Sequence, residues 1–130
     1  MDIERFRKLW ESGDTEGLAD LYTDDALLDM NLPGWRFQLQ GPEAISRQFA
    51  GYFERGPIKV LDWRARTSEW GAVVEEATEW EVEPETLYYR QVHIFLTDGD
   101  HITEHIIYCP GEWDKATVER QKAEAPMIRP

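Results

Sequence analysis

The residue best suited to proton transfer is His105. It stands inside His101–Cys109, a run of β-branched and apolar residues that reads as a strand ended by Pro110-Gly111. A histidine titrates near neutrality and can give or take a proton. The preceding run, Leu87–Leu96, reads as a partner strand, and Thr97-Asp98-Gly99-Asp100 as the turn between them. Side chains alternate faces along a strand. Tyr88, Arg90, Val92, Ile94 and Leu96 therefore share one face, and Tyr89, Gln91, His93 and Phe95 the other. In the second strand, Thr103, His105, Ile107 and Cys109 face together, opposite Ile102, Glu104, Ile106 and Tyr108. A tight turn at Asp98-Gly99 predicts His105 close to Arg90 or Tyr88. Arg90 suits an anionic or enolate oxygen, and Tyr88 suits a carbonyl. The structural alternatives are a His105 satisfied by a carboxylate and an Arg90 ion-paired with Glu75, Glu76, Glu79 or Glu81. Alternation alone does not choose among those four. A one-residue slip through Glu83-Pro84-Glu85 exchanges the faces.

The other two histidines do not extend this set. His93 is expected to point away from His105, and His101 falls in the turn. A metal needs convergent ligands, so no metal is expected. The chain has no glycine-rich phosphate loop, nucleophile elbow or basic stripe, so no cofactor or nucleic acid is expected. Lys and Arg number 14 against 26 Asp and Glu, a formal charge of −12, which argues against nucleic acid and anionic membranes. There is one cysteine, Cys109, and the charged start MDIERFRKLW lacks a signal-peptide core. No apolar run is long enough to span a bilayer. These features predict a cytoplasmic protein.

The elements that must carry these residues can be read in order. At 130 residues, a single domain over 1–130 is expected. Asp2–Ser12 has Ile3, Phe6 and Trp10 at helical spacing, with Asp2 as cap and Gly13 as stop. Asp14 or Thr15 caps a second short helix. Ala26–Leu32 is a first strand, broken by Pro33-Gly34. Gly41-Pro42 opens a third helix that ends at Gly56-Pro57. Lys59–Trp70 and Ala72–Val82 are strands, followed by the hairpin. Asp114 caps a last helix, Lys115–Glu124, and Pro126–Pro130 is a tail. Helices followed by four consecutive strands predict an α+β fold, an antiparallel sheet with helices on one face.

Three stretches carry a family resemblance. Trp10–Ala26, WESGDTEGLADLYTDDA, resembles the end of the second helix in nuclear-transport-factor-2-like proteins. Gly41-Pro42-Glu43-Ala44-Ile45 resembles the start of their third helix, and Asp98–Tyr108 their last hairpin. The nearest branch is the SnoaL-like group, which includes polyketide cyclases. The resemblance implies a cone: a strongly bent sheet wrapped around the N-terminal helices, with a central apolar pocket. Its steroid isomerases use an Asp base with Tyr and Asp oxyanion donors. Those places correspond to Met30, Phe6 and Val92, which exclude that chemistry.

The resemblance places Thr103, His105, Ile107 and Cys109, with Tyr88, Arg90 and Val92, on the pocket side. It puts Asp29 near the mouth as a second acid–base candidate, although Met30 is the inward residue. Trp35, Tyr52 and Trp63 become candidate walls, with core packing as their alternative. The expected function is a cofactor-independent acid–base enzyme, of isomerase, dehydratase, cyclase or hydrolase type. Its substrate would be a small apolar or aromatic molecule. The alternative is a non-catalytic binding or interaction module of the same fold. Tyr89, Gln91, His93 and Phe95, beside Ile106 and Tyr108, are expected to form an outer patch that pairs two copies into a homodimer.

Overall fold

A computed structural model describes residues 1–129. Pro130, the end of the expected tail, lies outside them. Helix α1 (Ile3–Ser12) starts where the Asp2 carboxylate accepts the Arg5 N–H at 3.0 Å. It stops at Gly13, whose φ of 68° belongs to the left-handed region. Its buried residues, Phe6 and Trp10, lie one helical turn apart. Helix α2 (Thr15–Ala19) is capped by Asp14, and α3 (Pro42–Glu54) begins on its proline and buries Ile45 and Phe49. Helix α4 (Lys115–Glu124) is capped by Asp114, as the sequence suggested.

The strands are β1 (Tyr22–Leu32), β2 (Trp35–Gln40), β3 (Ile58–Ser68), β4 (Gly71–Val82), β5 (Glu85–Asp98), β6 (His101–Tyr108) and β7 (Trp113–Asp114). Their order is β2-β1-β6-β5-β4-β3, with β7 on β5. The sheet is strongly curved and unclosed. It is mixed, not wholly antiparallel as expected, because β1 runs parallel to β6. Two strands were not read from the sequence: β2, a largely exposed edge, and the two-residue β7. Strand β1 also begins four residues before Ala26, which brings Tyr22 into the sheet.

A single bulge determines which side chains meet inside the cone. At the β5–β6 turn, Asp98 pairs with His101 and Thr97 with Ile102. Leu96 then pairs with Glu104, so Thr103 is an extra residue on β6. The Thr103 hydroxyl donates to the Leu96 carbonyl at 3.1 Å, which holds the bulge. Beyond it, His105 lies opposite Phe95 and Ile107 opposite His93. An unbulged hairpin would have set His105 opposite Ile94, on the face of Arg90 and Tyr88. One added residue exchanges the faces. The inner face of β5 is therefore Tyr89, Gln91, His93 and Phe95, all buried. Its outer face carries Tyr88, Arg90 and Val92.

Two sequence expectations are corrected by this register. Tyr89, Gln91, His93 and Phe95 do not form an outer patch with Ile106 and Tyr108. His93 does not point away from His105; the two rings stack at 5.1 Å between centroids. The turn at Glu83-Pro84, by contrast, adds no irregularity. Val82 pairs with Glu85, and the register runs unbroken to Gly71 opposite Leu96. Gly71 sits where a Cβ would fall 1.8 Å from the Phe95 carbonyl oxygen, so only glycine lets the strands close there.

Candidate functional site

Helices α1 and α3 and the inner sheet face enclose a cavity of about 390 Å³. Trp10, Phe49 and Tyr52 line it from the helices. Met30, Trp80, Tyr89, Gln91, Ile107 and Cys109 line it from the sheet side. Exposed Arg47, Arg55 and Glu112 also border it. The Arg55 guanidinium lies over the Trp80 ring, 4.4 Å from its centroid. The cavity is largely apolar and aromatic, and its interior polar groups are few. The Tyr52 and Tyr89 hydroxyls are hydrogen-bonded to each other. Burial pushes both phenols well above their ordinary value, so both stay neutral near pH 7 and serve as donors, not bases. Gln91 is the third interior polar group.

Behind Gln91 runs a sealed polar chain. Glu76 is fully buried on β4, facing Gln91 across the β4–β5 pair. Its Oε1 accepts from the Gln91 Nε2 at 2.9 Å and from the Thr78 hydroxyl at 3.1 Å. Its Oε2 lies 3.2 Å from the His93 Nε2. The His93 Nδ1 lies 2.8 Å from the His105 Nε2, and the His105 Nδ1 lies 2.8 Å from the Tyr22 hydroxyl.

Hydrogen-bond chemistry orders this chain. Glu76 accepts at Oε1 from Gln91 and Thr78; with Oε2 accepting as well, the His93 Nε2 carries the proton that faces it. His93 then accepts at Nδ1 from the His105 Nε2–H. The His105 Nδ1 in turn accepts from Tyr22, which is the neutral form of the His105 ring. His105 agrees: burial first, and then the neighbouring His93, drives its pKa well below the ordinary value. Aromatic rings complete the seal. Phe95 stacks on His105 at 4.3 Å, Phe6 meets it edge-on at 5.7 Å, and Trp10 meets His93 edge-on at 5.3 Å. A buried polar network with every member paired sets one arrangement and tolerates few others.

The expected site residues are distributed differently from the sequence reading. His105 is fully buried in the polar chain and is not on the cavity wall. Arg90 lies on the outer face, ion-paired with Glu75, one of the alternatives weighed. Tyr88 lies there too, donating to Glu79 at 3.2 Å. Neither is beside His105, because the Thr103 bulge moved the face. Val92 is on the outer side for the same reason, and Thr103 is spent in the bulge.

Asp29 is also on the outer face. Its two oxygens accept from Arg36 Nε at 2.9 Å and Nη2 at 2.7 Å. Those bonds first, and the Arg36 charge with them, hold its carboxyl below the usual range. That is a structural pair, not a group poised to take a proton. Trp35 is 68% exposed on the edge strand β2, and Trp63 packs against Phe6 away from the cavity. Met30, Tyr52, Ile107 and Cys109 do line the cavity. Burial raises the Cys109 thiol pKa, so the thiol stays protonated.

Sequence reasoning missed Gln91, His93, Tyr89 and Tyr22, and left Glu76 as one of four undistinguished carboxylates. Alternation offered a signal for Glu76, since Val74, Thr78 and Trp80 share its face and are all buried. Nothing local marked Tyr22, which needed the parallel β1–β6 pairing to reach His105.

The SnoaL-like domain pattern matches residues 3–105. No curated protein sequence matches the chain. Among solved structures, an NTF2-like protein from Anabaena variabilis ATCC 29413 superposes with a TM-score of 0.70 at 20% identity, over 84% of each chain. A putative polyketide cyclase from Xanthomonas campestris pv. campestris gives 0.69 at 14% identity, over 82% of this chain and 85% of that one. An LEH-like epoxide hydrolase from M. tuberculosis gives 0.66 at 17% identity, over 82% and 78%. At such identities these likenesses speak for the fold alone. With the pattern matched over most of its length, the chain belongs to the SnoaL-like domain family.

Proposed function

We propose that the cavity binds a small, largely apolar molecule and that the chain acts on it without a cofactor, using the Tyr52–Tyr89 pair as a hydrogen-bond donor to the reacting oxygen. The reaction would be an isomerisation, dehydration, cyclisation or hydrolysis in which negative charge builds on a carbonyl, enol or epoxide oxygen. The observation that carries this reading is the hydroxyl pair itself, set in an apolar, aromatic cavity. Neutral phenols there can donate to a developing oxyanion in a low-dielectric surround, where such bonds are strongest. The epoxide hydrolase and polyketide cyclase of the same fold make this class of chemistry reasonable for the cavity. A cytoplasmic setting belongs to the same reading.

The second reading is a binding module without turnover. One observation favours it: His93, His105 and Glu76 are sealed behind the wall, so none of them touches a ligand as a base. Turnover assays on a panel of epoxides, cyclic enones and β-dicarbonyl compounds separate the two, with native mass spectrometry for retained ligands. Under the enzyme reading, Tyr89→Phe lowers kcat about 10²- to 10³-fold with little change in KM. Binding with no turnover on any panel member would hand the site to the second reading.

The homodimer expected from the sequence is retained with Ile106 and Tyr108, but with Val73, Val92 and Ile94 in place of Tyr89, Gln91, His93 and Phe95. Val73, Ile94 and Ile106 lie side by side on the outer sheet face, next to Val92 and the 52% exposed Tyr108. A two-fold contact would cover this apolar strip.

A further inference from the structure

We propose that Gln91 determines ligand specificity: its side-chain carbonyl, locked in place by Glu76, selects molecules that carry a hydroxyl, enol or N–H donor. This rests on the cavity being a ligand site.

The geometry runs from the sealed chain outward. The Gln91 Nε2 lies 2.9 Å from the Glu76 Oε1. The Thr78 hydroxyl donates to the same Oε1, which is thus an acceptor, and the amide presents its N–H₂ to it. The reverse orientation would set two oxygens against each other at that distance. Gln91 Oε1 is therefore the free end. Among the described residues no donor reaches it. It is also not among the sealed polar atoms lacking a partner, which are the indole nitrogens of Trp10 and Trp63. Gln91 lines the cavity, so this oxygen is an acceptor open to a ligand.

The polar end of the cavity thus combines opposite demands. The tyrosine pair offers a donor to a ligand oxygen. Gln91 offers an acceptor to a ligand proton. A phenol, an enol, a hydroxy ketone or a carboxamide meets both; a simple ketone, ether or hydrocarbon meets one or neither. A site with a committed hydrogen-bonding group discriminates well, because the wrong ligand leaves that group unpaired. Glu76 acts as a positioning residue: it touches no ligand but sets which end of the amide the ligand meets.

The test uses 2-naphthol and 2-methoxynaphthalene, which share a ring system and an oxygen and differ in the donor. Binding is followed by fluorescence titration. Wild type should prefer 2-naphthol by about 5- to 100-fold. In Gln91→Met, of similar shape but without the carbonyl, the preference should collapse while 2-methoxynaphthalene binding persists. That retained binding also shows that the variant is folded. In Glu76→Gln the amide is free to turn, and the preference should shrink as well. Equal affinity of wild type for the two probes overturns the proposal and leaves the cavity reading intact. So does a preference that survives in Gln91→Met, since it would be steric. Failure of wild type to bind either probe, or binding indifferent to filling the cavity with Met30→Trp, overturns the cavity reading and the proposal together.

Discussion

Truncating His105 to alanine should destabilise the fold before it can inform on any chemistry. The side chain is fully buried and bonded at both ring nitrogens. His105→Ala strands the Tyr22 hydroxyl and the His93 Nδ1 in the interior. Each orphan costs about 1–3 kcal/mol. The void left under Phe95 and Phe6 adds roughly 1–2 kcal/mol, taking about 24 cal/mol per Å³ over about 60 Å³. A water entering the gap would recover part of the polar term. The expected loss is about 3–7 kcal/mol, against a total of about 5–15 kcal/mol for an ordinary domain. Urea denaturation followed by tryptophan fluorescence measures it. With an m-value of about 2 kcal/mol/M, the midpoint should fall by roughly 1.5–3.5 M. His105→Gln, which can still donate and accept, should lose less. An alanine variant within about 1 kcal/mol of wild type would refute the reasoning, because the polar chain could not then be sealed and paired. An acid–base group on the cavity wall, the place the sequence suggested for His105, would instead lose turnover with the fold intact.

Two further outcomes follow from the same structure. His105 is neutral in the fold, and its ordinary value is 6.5. The unfolded chain therefore binds a proton below about pH 6.5 that the folded chain does not. Stability from this group is fully present above that pH and falls by up to about 1.4 kcal/mol per unit below it. Asp29, with its depressed carboxyl, adds loss only at lower pH, as its folded value is crossed. Urea midpoints that stay flat from pH 7.5 to 5.5 would contradict the His105 assignment. For the outer face, sedimentation at micromolar concentration should give a dimer, and Ile106→Asp a monomer with an unchanged cavity. A wild-type monomer would remove the dimer.

Much of the fold was legible in the chain because its signals are local. Asp2, Asp14 and Asp114 cap helices through their own side chains. Gly13 and Pro42 mark a helix end and a helix start. Runs of β-branched and apolar residues mark β4, β5 and β6 as strands. Edge strand β2 was missed although Trp35, Phe37 and Leu39 alternate with Arg36, Gln38 and Gln40, a period of two that was there to read. The apolar part of the cavity, with Met30, Tyr52, Ile107 and Cys109 on its wall, was legible for the same local reasons.

The polar part of the site was not, because it depends on how strands face one another. Residue types determined that a histidine would stand mid-strand in a hairpin beside a glutamate-rich strand. They did not determine which face of β5 it would meet. One extra residue at Thr103 moved His105 away from Arg90 and Tyr88 and onto His93. The parallel docking of β1 then brought Tyr22 within hydrogen-bonding reach. Side-chain direction has a period of two along a strand, so a single bulge reverses every assignment beyond it. That reversal depends on pairing between chain segments far apart in sequence, and only the tertiary structure decides it.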